Sequence, residues 1–155
     1  MRILFVGDVV GRAGRTAISE YLPGMVRDWA LDLVVVNGEN SAGGFGINPP
    51  GIAEMEAAGV SFFTTGNHVW DKREGIPLLE AKDNIVRPAN YPGSPGRGAA
   101  IVPGTGGRVA VLNLQGRVFM PAIDCPFRTA DALLEKIPPH VKIRIVDFHA
   151  EATSE

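Results

Sequence analysis

Three apolar, β-rich runs in this chain each end in a polar cluster, and that recurrence limits the fold more than any other feature. Ile3 to Val6 leads into Gly7-Asp8, Leu33 to Val36 into Asn37-Gly38-Glu39-Asn40, and Ser61 to Thr65 into Gly66-Asn67-His68. Short continuous apolar runs, as opposed to alternating ones, read as parallel strands buried on both faces. In open α/β sheets ligands collect beyond the carboxyl ends of the strands. Three sets of oxygen and nitrogen donors are therefore expected to converge on one edge of an α/β fold.

Size and charge narrow the choice further. A chain of 155 residues that is 45% hydrophobic can bury one core, so a single domain over residues 1–155 is expected. Fifteen basic residues against seventeen acidic ones give a formal charge of -2, which offers no broad field for nucleic acid or an anionic membrane. Any phosphate recognition has to be local. The lone Cys125 rules out an intrachain disulfide framework, fits a reducing compartment, and reads as a small buried apolar side chain. Met1-Arg2-Ile3 opens a strand and is charged too early for a signal peptide. No run approaches the roughly 18 apolar residues of a membrane span, so a soluble, cytoplasmic protein is expected.

The remaining elements follow from spacing. Ala17, Ile18, Tyr21, Leu22, Met25, Val26 and Trp29 recur at helical intervals, and Pro23-Gly24 predicts two short helices or a kink. Ser41 to Gly46 is too glycine-rich for a regular element. Asn48-Pro49-Pro50 starts a helix that ends at Gly59. Gly98 to Val102 and Arg108 to Leu114 are expected to pair across a glycine-rich turn, followed by a helix from Cys125-Pro126 to Ile137 and a last strand from Val141 to Val146 that delivers Asp147 and His149.

The chemistry resides in the strand-end clusters. Glu39 follows Val34-Val35-Val36, and a carboxylate buried at a strand tip needs a cation or hydrogen-bond donors. Such a group can bridge two metal ions roughly 3.5 to 4 Å apart, the separation used for phosphoryl transfer. Asn67 and His68 are adjacent, so one can face a metal while the other faces a substrate, where a protonated imidazole can act as general acid. Asp8 alone is a weaker signal, since an acid after a first strand also serves as a cap. His149 is a further candidate ligand, and Glu151 reads as an exposed acid. Gly7, Gly11 and Gly14 lack the spacing of a dinucleotide fingerprint, and Arg12 and Arg15 beside them read equally as phosphate donors or as solvated arginines.

At Gly7-Asp8, at Asn37-Gly38-Glu39-Asn40-Ser41-Ala42-Gly43-Gly44, at Gly66-Asn67-His68-Val69-Trp70-Asp71 and from His149 to Glu155, the sequence resembles the YmdB-like branch of calcineurin-like metallophosphoesterases. The resemblance runs the whole chain. It departs from the wider superfamily where Val10 replaces a histidine and Glu39 an aspartate, both features of the branch. It implies mixed β-sheets flanked by helices, with Asp8 and Glu39 holding a first metal and Glu39 bridging to a second held by Asn67 and His149. Asn40 and His68 would contact the phosphate, His68 as proton donor. The implied cofactors are two divalent or trivalent ions, iron or manganese first and zinc or magnesium as alternatives. The implied substrate is a small-molecule phosphodiester such as a 2′,3′-cyclic nucleotide. Family members run roughly a hundred residues longer, about one more domain half, and carry a downstream Gly-Thr-His-Thr-His string that this chain lacks. The resemblance thus implies that the C-terminal part of the fold is missing here, and an uncovered edge would favour self-association. The competing expectation is a non-catalytic nucleotide- or phosphate-binding module, or a regulatory interaction protein built on the same fold.

Overall fold

The computed structural model describes residues 1–155. Strand β1 (Ile3–Val6), helix α1 (Gly11–Asp28), β2 (Leu33–Asn37), α2 (Pro49–Ala57) and β3 (Phe62–Thr64) form a parallel sheet in the order β1-β2-β3. A 3₁₀ turn (Asn67–Trp70) and α3 (Ile76–Ala81) follow. Then β4 (Ala99–Gly104), β5 (Gly107–Gln115), α4 (Pro126–Leu134) and β6 (Ile143–His149) form a second sheet in the order β4-β5-β6. There β4 runs antiparallel to β5, and β6 runs parallel to it.

Strand alternation decides how the layers stack. On β2, Val34 and Val36 join a core with Ile18 and Leu22 of α1 and Ile52 and Met55 of α2. Leu33 and Val35 point the other way, onto Val109 and Val111 of β5 and Phe62 of β3. On β5, Ala110 and Leu112 turn outward toward Leu133 and Leu134 of α4. Each strand thus serves two cores, as the period of two requires, and the order of layers is helix, sheet, sheet, helix. Val35, Val109 and Val111 are fully buried between the sheets, a gain of about 1.5–3 kcal/mol for each such side chain over leaving it exposed.

The helix starts and turns follow local chemistry. Asn48 caps α2 by accepting the Gly51 N–H at 2.9 Å, with Pro49 and Pro50 where no N–H is needed. Thr105 and Gly106 close the β4–β5 hairpin. The Pro- and Gly-rich stretch between α3 and β4 has little regular structure, and buried Arg87 holds it by donating to the carbonyls of Pro88, Ser94, Pro95 and Gly96.

Three expectations need correction. Helix α1 is one helix, Gly11–Asp28, with Pro23 inside it, in place of two short helices. Pro23 and Ser19 lie on the solvent side, where water can satisfy the carbonyl that proline leaves free, while the neighbouring Ile18 and Leu22 are buried in the core. The last strand is Ile143–His149 because its pairing with β5 runs from Val109 opposite Ile143 to Gln115 opposite His149; Val141 instead sits beneath α4. Cys125 is only partly buried. It occupies the N-cap of α4, where the backbone N–H groups of Arg128 and Phe127 hold its thiol pKa below the ordinary value. No helix is long and apolar enough to cross a membrane.

Candidate metal centre

The apolar seam between the sheets turns polar at its carboxyl end. Along β2 the inward series is Leu33, Val35, Asn37, and along β3 it is Phe62, Thr64. On β5 it is Val109, Val111, Asn113, Gln115, and on β6 Ile145, Asp147, His149. Asn37, Thr64, Asn113 and Gln115 are all buried. The fold therefore brings Asp147 and His149 against the turn that follows β2, across more than a hundred residues of chain.

Glu39 is the centre of this region. It is 1% exposed, and both of its oxygens are occupied. The Nδ1 of His149 lies 2.8 Å from Oε1, and the backbone N–H of His68 donates to Oε2 at 3.1 Å. Glycine is required at position 66, because a Cβ there would fall directly on Glu39's carboxylate. A relay fixes the turn from behind: Glu39 N–H donates to Asn37 Oδ1 at 3.2 Å, and Asn37 Nδ2 donates to Asp147 Oδ2 at 3.0 Å. The hydrogen bond to Glu39 is the largest influence on His149, and it holds the imidazole pKa above its ordinary value against desolvation. Burial raises the carboxyl pKa of Asp147.

Beside this buried carboxylate lie polar atoms with no partner. Asn67 Oδ1 and His149 Nε2 are both inaccessible and make no hydrogen bond. Unpaired buried acceptors are costly, and an amide oxygen plus an imidazole nitrogen beside a carboxylate form a donor set for a hard or borderline cation. An imidazole that gives one nitrogen to a carboxylate and keeps the other free is the usual arrangement of a metal-binding histidine. These residues fit the implied metal. Asp8 stands apart: it is exposed, and its Oδ2 accepts from Asn40 Nδ2 at 2.5 Å. No three histidine, cysteine or acidic side chains close into a ready cage.

Asn67 and His68 diverge as their adjacency requires. The His68 ring is 41% exposed, and its Nδ1 lies 2.7 Å from Asp71 Oδ2. With Nδ1–H donating to Asp71, Nε2 is left free. Sequence alone assigns no role to Asp71, Asn37, Asp147 or Gly66. The i,i+3 spacing of His68 and Asp71 on a helical turn is a usable signal for Asp71, whereas the Asp147–Asn37 pair has none. Arg15 is unavailable to a phosphate, because its Nε pairs with Glu54 at 2.7 Å and its Nη1 donates to the Ser41 carbonyl. Glu151 is exposed and acts on His149 only through its charge.

A parallel sheet packed on a mixed sheet and flanked by helices, with a polar cluster at the strand ends, defines a calcineurin-like phosphoesterase fold. A crystal structure of a phosphatase from Mycoplasma pneumoniae superposes on 98% of the chain with a TM-score of 0.89 at 33% identity, covering 56% of that protein. One of a hypothetical protein from Thermus thermophilus gives a TM-score of 0.93 at 42% identity, over all of this chain and 60% of that one. The YmdB-like protein family matches residues 4–155, and the chain belongs to it. A 2′,3′-cyclic-nucleotide 2′-phosphodiesterase from Bacillus subtilis (strain 168) is 44% identical over the whole chain, which spans 59% of that relative's length.

Proposed function

We propose that this chain carries the metal-binding and proton-donating residues of a phosphodiesterase acting on 2′,3′-cyclic nucleotides or closely related diesters. The observation that carries the reading is buried Glu39 with Asn67 Oδ1 and His149 Nε2 unpartnered beside it. The Bacillus subtilis relative's activity supports the substrate class.

In this reading Asp8 and Glu39 would hold one ion, and Glu39, Asn67 and His149 would hold a second. Iron and manganese suit these donors, as do zinc and magnesium. When bound, such ions supply positive charge at the phosphoryl oxygens and acidify a water. The chain's own groups do the rest. Glu39 is held in place by His68 N–H and by the Asn37–Asp147 relay. His149 would ligate through its unpartnered Nε2, with Nδ1 kept on the Glu39 carboxylate. Asn40 would offer its amide to a phosphoryl oxygen. His68 Nε2 donates a proton to the departing ribose oxygen, while Asp71 holds Nδ1–H and so orients the ring.

The test is metal content and turnover measured together on the full-length protein. After dialysis against manganese or iron, elemental mass spectrometry should find about two ions per chain, and hydrolysis of 2′,3′-cyclic AMP should follow metal content through chelation and reloading. Hydrolysis that persists in fully metal-free protein would sink the reading.

A further inference from the structure

We propose that Phe119 is the stacking platform for the base of the nucleotide substrate; this rests on the phosphodiesterase reading above. Phe119 is 89% exposed, the most exposed of the large apolar side chains. Its φ of +63° is one of only two positive values among non-glycine residues. A bulky side chain in the left-handed region is strained, and an outlier of that kind persists only where its surroundings hold it.

The holding groups are visible. Both oxygens of the Glu155 carboxylate accept the Arg117 N–H at 2.8 Å, and one accepts the Val118 N–H at 2.9 Å. Met120 N–H closes the turn on the Arg117 carbonyl at 3.2 Å. The loop's base is fixed to the candidate metal centre: Gly116 N–H donates to the His149 carbonyl at 2.8 Å, just beyond the pairing of Gln115 with His149. A chain segment anchored at both ends thus presents an unburied aromatic ring at the edge where His149 ends its strand.

The substrate chemistry matches this placement. In a 2′,3′-cyclic nucleotide the base and the diester lie on opposite sides of one ribose. A group that recognises the base must therefore sit beside the phosphate site and outside it. An aromatic ring stacks on any base without needing hydrogen-bond readout, so this loop would select for nucleotides over base-free diesters while tolerating different bases.

The experiment compares 2′,3′-cyclic AMP with ribose 2′,3′-cyclic phosphate on the full-length, metal-loaded protein. For Phe119→Ala the ratio of kcat/KM between nucleotide and base-free diester should fall roughly tenfold or more, mainly through KM for the nucleotide, and Phe119→Trp should restore it. An unchanged ratio, or an alanine effect that tryptophan does not rescue, overturns the inference while leaving the phosphodiesterase reading intact. Failure of the wild-type protein to hydrolyse either diester would instead bring down that reading, and the inference with it.

Discussion

The two halves of the candidate centre are built to different standards. Glu39 follows central strand β2, is covered by the second sheet, and has partners from the turn after β3 and from β6. Asp8 follows β1, the edge strand of the same sheet, and has Asn40 alone. One half is enclosed and preorganised; the other is open to solvent. A strand with neighbours on both sides has its tip surrounded by other strand tips, whereas an edge strand's tip is surrounded on one side only. Preorganisation at a strand end thus depends on the strand's rank in the sheet as much as on the residue it carries.

The largest effect should come from removing the enclosed carboxylate. Glu39→Gln is expected to abolish binding of both ions and lower kcat/KM by about a thousandfold, several kcal/mol of lost charge stabilisation. Asp8→Asn should cost one ion and spare the other. Elemental mass spectrometry of the two variants side by side decides: loss of both ions from Asp8→Asn would show that the halves are one unit.

His68→Ala should reduce turnover by about 10² to 10⁴-fold with metal content unchanged, since it removes a proton donor and not a ligand. A diester with a much better leaving group should recover most of that loss. If the variant loses metal instead, His68 belongs to the enclosed half.

Asp147→Asn probes the relay behind Glu39 and should weaken metal binding by about 10 to 100-fold. The reading is a metal titration, with kcat at saturating metal nearly restored. A loss that saturation cannot restore would show that Asp147 acts on the chemistry itself.

The smallest effect tests a carboxylate outside both halves. Burial pushes the Glu56 pKa up most strongly, yet the combined hydrogen bonds from Lys82 and Asn84 and the Lys82 charge leave it below its ordinary value of 4.5. A depressed carboxyl pKa adds stability above that ordinary value and loses it as pH falls through the lower, folded-state value. Melting temperatures of wild type and Glu56→Gln should therefore differ at neutral pH and converge below about pH 4.5, with no change in metal content.

Much of the fold was legible because strand and helix periods are local. Leu33 to Val36 read as a doubly buried strand, and both of its faces do meet a core. Asn48-Pro49-Pro50 read as a helix start and caps α2. Pro23 misled because its local cost is real, but the tertiary packing of Ile18 and Leu22 outweighs it. The end of β6 shifted because register with β5 set it, and a register has no local signal.

For the site, the sequence by itself determined the donor types and their positions at strand ends, since apolar runs must be buried and the polar residues after them must lie at the rim. The tertiary structure alone decided which donors meet. It set His149 against Glu39, ran the relay from Asp147 through Asn37, and left Asn67 Oδ1 and His149 Nε2 buried without partners. Those contacts join residues up to 110 positions apart. Their geometry depends on how two sheets stack and twist, which is a property of the assembled core and of no segment within it.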